Sequence, residues 1–179
     1  MQKHYIVAGG GRTGSHWVKE IVKVLDPQGT VDHTNQIQYL LDLSDTIKQS
    51  SVLILCSRRD IFAAAVSYFV ARHTDEWFDY TNSEINTFTI DIKEFKDKIH
   101  GVKFWNHLFN TTIRPQFNHV VDVWYEDMVT AHPESYLGNL LDLDGKSLNF
   151  NWDRNKNPRD YSKLVVNYQE LREIYLQNQ

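Results

Sequence analysis

A glycine-rich segment near the N-terminus, AGGGRTGSHW at residues 8–17, has the composition of a turn that binds phosphate. Its glycines let the backbone come close to an anion, and the amide groups at the start of a following helix point toward that anion. The hydroxyls of Thr13 and Ser15 add hydrogen-bond donors. Arg12 adds a charge that can hold phosphate through two hydrogen bonds. The segment therefore predicts an anion-binding turn between a strand and a helix.

The turn is compatible with more than one class of nucleotide-binding protein. A Walker A loop needs a lysine before its serine or threonine, and the absence of that lysine weakens the interpretation as a magnesium–ATP or magnesium–GTP site. A dinucleotide-binding turn needs the pattern G-x-G-x-x-G, which Gly9, Gly11 and Gly14 supply. It also needs an acidic residue about 20 residues later, a position that Asp32 nearly fills.

The string GRTGSHW resembles the 5′-phosphosulfate loop of sulfotransferases that use 3′-phosphoadenosine 5′-phosphosulfate (PAPS). That loop has lysine or arginine, then serine or threonine, glycine, two small or hydroxyl residues, and often tryptophan. The resemblance implies that PAPS is bound by the residues of this string and by the glycine before it. They are Gly10, Gly11, Arg12, Thr13, Gly14, Ser15, His16 and Trp17. His16 stands where threonine is commoner. Trp17 either stacks on the adenine, as in cytosolic members of the family, or packs between helix and sheet.

A second segment, SRRDIFAAAVSYF, supports the same resemblance. In these sulfotransferases an arginine at a strand end and a serine eight positions later in a helix hold the 3′-phosphate. Arg59 and Ser67 have that spacing, and Arg59 falls where ligands of open α/β sheets bind. Arg58 is an alternative ligand because it is adjacent, and Ser67 is alternatively a small packing residue.

A third segment, VVDVWYEDMVTAHP, resembles the strand, YEDL motif and proline-containing helix start of sulfotransferases. We expect the carboxylates of Glu126 and Asp127 to brace the loop or the phosphate-binding arginines. The resemblance covers about residues 1–145. The RKGxxGxW segment and the strand with the catalytic histidine of the cytosolic enzymes are missing. A basic loop containing Arg154, Lys156 and Arg159 is the candidate replacement for RKGxxGxW, and we assign Arg154 to the nucleotide.

The resemblance implies in-line transfer of a sulfuryl group from PAPS to a hydroxyl or amine of a small-molecule or glycan acceptor, without a metal. Arg12 is the candidate cation for the charge on the leaving phosphate. His33 is the candidate base, since its unperturbed pKa is about 6.5, with Asp32 as its substitute or orienting partner. The alternatives are a non-catalytic or degenerate nucleotide-binding module, and a P-loop kinase-like or NAD-binding protein.

The elements that would position these residues follow an α/β pattern, since apolar runs alternate with amphipathic segments. Strands are predicted at 4–8, 30–33, 52–57 and 119–124, and helices at 15–25, 36–43, 60–72, 91–110, from 133 onward and around 164–175. We expect a three-layer α/β/α fold with a parallel sheet of four or five strands, similar to P-loop NTPases. The loop at 75–90, with Trp77, Phe78 and Tyr80, and the helix at 91–110 are expected to shape the acceptor pocket.

Composition limits the class of protein. The 179 residues fit a single domain, residues 1–179, and the net charge of −4 argues against a general nucleic-acid partner. No apolar segment is long enough to span a membrane, and the N-terminal apolar stretch is too short for a signal peptide. We therefore expect a cytoplasmic protein. The single cysteine, Cys56, is expected to be a buried strand residue.

Overall fold

The computed structural model describes residues 2–75, 86–143 and 160–178, and the chain divides into two compact units. The first unit comprises Met1–Arg59 and Phe104–Asn149, and the second comprises Asp60–Lys103 and Phe150–Gln179.

The first unit is built on a parallel sheet of four strands. The strands are β1 (His4–Gly9), β2 (Thr30–Thr34), β3 (Val52–Ser57) and β4 (His119–Trp124), in the order β2-β1-β3-β4. The prediction of a parallel four-stranded sheet in a mixed α/β protein is confirmed, and each strand lies within one residue of its predicted bounds. Residues 5–9 of β1 are all buried, which explains why this strand is a continuous apolar run.

The described part of the chain contains nine helices. They are α1 (Ser15–Leu25), α2 (Ile37–Asp42), α3 (Asp45–Ser50), α4 (Ile61–Thr74), α5 (Ile92–Leu108), α6 (Tyr125–Thr130), α7 (Pro133–Leu141), α8 (Tyr161–Leu164) and α9 (Tyr168–Gln177). A π-helical turn (Phe109–Ile113) and a 3₁₀ turn (Arg114–Gln116) follow α5. The helices α3, α6 and α8 were not predicted, because four to six residues give few positions at which a helical period can appear; α2, also of six residues, lies within the helix predicted at 36–43.

The strand order identifies the place where this sheet would bind a ligand. The chain passes from β1 through α1 to β2 on one side, and then to β3 on the other side of β1. Open α/β sheets bind ligands at the carboxyl ends of the strands where this reversal occurs. The glycine-rich turn follows β1, and the two arginines follow β3. Both segments therefore start at the reversal point.

The second unit has its own apolar core, formed mainly by α4, α5 and α9. Phe62 of α4 lies edge-on to Phe95 of α5 at 5.7 Å and to Tyr168 of α9 at 5.2 Å between ring centroids. Asn167 donates to the carbonyl of Ile90 at 2.9 Å and accepts from its amide at 3.1 Å, which fixes the start of α9 in this unit.

Candidate anion-binding site

The glycine-rich turn has an unusual backbone. Gly11, Arg12 and Gly14 have φ angles of 73°, 57° and 77°, all in the left-handed region. A non-glycine residue such as Arg12 pays about 1–3 kcal/mol for this conformation, and such strain is concentrated at functional sites. A side chain added at Gly11 would meet nothing within 4 Å, so the turn is open on that side.

The N-terminus of α1 has no side-chain cap. Gly14 is the N-cap and has no side chain to cap the helix, and no acidic residue lies in the first turn. The first amides of a helix have no acceptor within the helix, and the helix dipole makes this end positive. A Cβ on Gly14 would lie 3.0 Å from the Tyr125 ring and 3.1 Å from Met128, so α6 packs directly against this glycine. Sequence reasoning did not identify this contact.

Thr13 carries a buried hydroxyl that has no hydrogen-bond partner among the described residues. The residue is only 4% exposed, and Oγ1 is among the buried side-chain atoms without a donor or acceptor within reach. Oγ1 lies 2.3 Å from the position that a Cβ on Gly9 would occupy, so Thr13 folds back over the end of β1 and requires glycine there. An unsatisfied buried hydroxyl costs about 1–3 kcal/mol. An anion oxygen in the turn would supply the missing partner, so this residue fits the phosphate end of a nucleotide.

His33, the candidate base, lies beside the first residue of α1. Its Nε2 is 3.0 Å from Oγ of Ser15, and its ring lies edge-on to that of His16 with 5.8 Å between centroids. Burial lowers the pKa of His33 below the ordinary value of 6.5, the positive charges of His16 and Lys19 lower it further, and Glu20 opposes them. The structure therefore brings an imidazole with a lowered pKa to the edge of the turn.

Asp32 lies on the other face of β2. It accepts a hydrogen bond from the Tyr39 hydroxyl at 2.9 Å and lies 3.1 Å from Nε2 of His4. Successive residues of a strand point to opposite faces of the sheet. The structure therefore does not bring Asp32 to His33, and the expected pairing of the two is absent.

Arg59 forms a bidentate ion pair with Asp127 of α6. The two hydrogen bonds are 2.5 and 2.8 Å long, and the guanidinium lies 4.9 Å from the centroid of the Trp124 ring. The backbone amide of Arg59 also donates to Glu126 at 3.1 Å. The hydrogen bonds from Arg59 lower the pKa of Asp127. These contacts confirm the prediction that the two carboxylates brace the arginine pair.

Arg58 has a different environment. Its side chain is only 10% exposed and lies over the ring of Tyr125, 4.5 Å from the centroid. Its Nε is buried without a hydrogen bond, and its ion pair with Glu126 is long, at 3.6 Å. Because Tyr125 also packs against Gly14, the stack places Arg58 on the side of the glycine-rich turn. The adjacent arginines in the sequence were a signal for this residue, but spacing alone favoured Arg59.

The other predicted site residues are distributed as follows. A Cβ on Gly10 would lie 3.4 Å from Trp105, and His16 and Trp17 are partly buried in the first turn of α1. Ser67 is on α4 of the second unit and is 3% exposed.

Arg154, with Lys156 and Arg159, lies outside the described residues, as do Trp77, Phe78 and Tyr80. Cys56 is buried, as predicted, and its burial raises its pKa.

The described residues contain neither a metal-ligand cluster nor a membrane-spanning helix. No three His, Cys, Asp or Glu side chains among residues 2–75, 86–143 and 160–178 gather so that they could hold a metal ion. Over the same ranges, none of the helices has the length and apolarity required to cross a bilayer.

Comparison with known protein families, curated proteins and solved structures finds no match to this chain.

Proposed function

We propose that this protein is a PAPS-dependent sulfotransferase with a P-loop-like three-layer α/β/α core, acting in the cytoplasm, and that its glycine-rich turn binds the 5′-phosphosulfate. The observation that carries the proposal is the buried, unpartnered hydroxyl of Thr13 beside the uncapped N-terminus of α1. The strained Arg12 backbone and the position of the turn at the strand-order reversal support it. The three sulfotransferase-like motifs occur in the expected order, and they indicate sulfuryl transfer as the class of reaction.

In this proposal the nucleotide is held through both of its phosphates. The backbone of residues 10–15 and the Thr13 hydroxyl hold the 5′-phosphate, and Trp17 stacks on the adenine. The 3′-phosphate is held at the arginine pair after β3. Motif register assigns this role to Arg59. The contacts favour Arg58, because Arg59 already gives two hydrogen bonds to Asp127 whereas Nε of Arg58 has no acceptor.

The transfer step uses His33 and Arg12. The acceptor oxygen attacks sulfur, the bond between sulfur and the bridging phosphate oxygen breaks, and its electron pair stays on the 5′-phosphate. Positive charge from Arg12 and the helix amides stabilises that oxygen. The acceptor proton passes to His33. In the tautomer in which Nε2–H of His33 donates to Oγ of Ser15, Nδ1 carries the lone pair that accepts this proton.

A second candidate function is nucleotide binding without transfer. Asp32 points to His4 and Tyr39, so His33 lacks the carboxylate partner that often orients a catalytic imidazole. A non-catalytic or degenerate sulfotransferase would keep the turn and the arginines and would need no such partner.

Calorimetric titration with 3′-phosphoadenosine 5′-phosphate (PAP), magnesium–ATP and NAD tests the proposal. We expect PAP to bind with a dissociation constant below ~100 μM, the range of substrates used by enzymes, and more tightly than the other two nucleotides. Absence of PAP binding, or tighter binding of ATP or NAD, contradicts it. Turnover of PAPS to PAP that is lost in His33→Ala distinguishes the enzyme from the binding module.

A further inference from the structure

A groove of about 460 Å³ lies in the first unit, between the segment that follows β2 and the end of α5. Three residues with side-chain amides, Asn35, Gln36 and Gln38, line one part of it, and the Gln38 amide also donates to Asp42 at 2.7 Å. Phe104, Trp105 and Leu108 line the other part. The lining therefore combines apolar and aromatic surface with amides, and none of these side chains carries a charge.

The groove is next to the proposed transfer centre. Trp105 packs against Gly10 of the glycine-rich turn, since a Cβ there would lie 3.4 Å from it. Asn35 follows His33 by two residues, just beyond the end of β2. A molecule in the groove would thus be close to both the anion-binding turn and the candidate base.

Phe104 has no evident structural role. It is 60% exposed, more than any other large hydrophobic side chain among the described residues of the first unit, although it belongs to a helix with an apolar core-facing side. Phe104 and Leu108 are four residues apart, so they lie on the same face of α5. A large apolar side chain kept in solvent next to a candidate site is typical of a ligand-binding surface.

We propose that this groove binds an uncharged saccharide ring and that, given the proposed function, the ring is the acceptor. Aromatic side chains pack against the apolar C–H face of a sugar, while amides both donate to and accept from its hydroxyls. A purely apolar ring would offer no partner to the side-chain amides of Asn35 and Gln36, at a cost for each one that becomes buried. An anionic sugar would find no counter-charge in this lining.

Nuclear magnetic resonance titration with maltose, cellobiose and lactose tests the inference directly. At least one disaccharide should shift the side-chain amide signals of Asn35 and Gln38 and the indole signal of Trp105. Phe104→Ala should weaken that binding about tenfold, or about 1.4 kcal/mol. Val166→Ala is the matched control, because Val166 is an exposed apolar residue of the second unit. It should leave the binding unchanged.

Three results would overturn the inference. The first is that none of the three sugars shifts the signals named above. The second is that wild type and Phe104→Ala bind the sugar equally well. The third is that glucuronate or p-nitrophenol shifts the same signals and the neutral sugars do not. A PAP titration on the same sample separates the two proposals. If PAP binds and the sugars do not, the groove assignment fails while the proposed function stands. If the sugars bind and PAP does not, the proposed function fails.

Discussion

Arg59 and Asp127, which are 68 residues apart in the sequence, share two hydrogen bonds that join the end of β3 to α6. The same α6 packs against Gly14 through Tyr125 and Met128. The ion pair therefore ties the arginine segment to the helix that supports the glycine-rich turn. We infer that the YED motif organises both halves of the proposed phosphate site from one short helix.

This ion pair predicts a pH-dependent contribution to stability. The hydrogen bonds from Arg59 lower the folded-state pKa of Asp127 below its ordinary 3.8. A carboxyl whose pKa is lower in the folded state stabilises the fold when the pH is above its unfolded-state pKa. This stabilisation is lost as the pH falls through the folded-state pKa. Asp127→Asn should thus reduce the free energy of unfolding at pH 7, and its difference from wild type should shrink below about pH 4.

Urea denaturation at several pH values measures this difference. Asp97→Asn, at an exposed position of α5, is the control and should change little at any pH. A difference between wild type and Asp127→Asn that is the same at pH 3 and pH 7 contradicts the prediction.

The two arginines should contribute unequally to nucleotide binding. Arg58→Ala should weaken PAP binding by roughly ten- to a hundredfold, the value of hydrogen bonds to a charged group. Arg59→Ala should cost less, because a phosphate at Arg59 must compete with Asp127. Calorimetry with PAP and with adenosine 5′-phosphate measures both variants, and Arg72→Ala serves as a control in the second unit. If Arg59→Ala weakens the binding of PAP more than that of adenosine 5′-phosphate and Arg58→Ala does not, the 3′-phosphate is bound by Arg59, as the motif register predicts.

Thr13→Val should separate binding from stability. The substitution keeps the shape of the side chain and removes a buried hydroxyl that has no partner, so the free energy of unfolding should stay constant or rise by up to about 1 kcal/mol. PAP binding should weaken about tenfold, because the phosphate loses a hydrogen bond.

Thr34→Val is the matched control for Thr13→Val. The Thr34 hydroxyl is also in a buried residue, but it accepts a hydrogen bond from the amide of Gln36 at 3.0 Å. Its removal should destabilise the protein by about 1 kcal/mol and leave PAP binding intact. The assignment of Thr13 fails if both variants lose the same stability and neither loses affinity.

His33 should titrate below its ordinary range. Burial and the positive charges of His16 and Lys19 lower its pKa, and Glu20 raises it. We expect Lys19→Gln to raise the pKa of His33 and Glu20→Gln to lower it, as measured from the imidazole carbon-bound proton signals between pH 4 and 8. A pKa of His33 that is unchanged, or shifted in the opposite direction, in these variants would contradict the effect of the two charges. If His33 is the base, PAPS turnover should fall as the pH drops through the same midpoint.

The strands were predictable from the sequence because each is an apolar run with polar or glycine residues at its ends. The separation of Asp32 from His33 also follows from the sequence, since strand residues alternate between faces, and this alternation argues against Asp32 as the orienting partner, one of the two roles considered for it. The motif predicted that Asp127 braces an arginine. Two features of the site depend on packing between segments that are distant in sequence, and residue spacing does not specify such packing. They are the unpartnered hydroxyl of Thr13 and the stacking of Arg58 on Tyr125.

A crystal structure of the protein with PAP tests the central claim most directly. We predict that oxygens of the 5′-phosphate lie about 3 Å from Thr13 Oγ1 and from backbone amides of residues 11–15, with the 3′-phosphate at Arg58 or Arg59. PAP bound with both phosphates away from the glycine-rich turn would contradict the account.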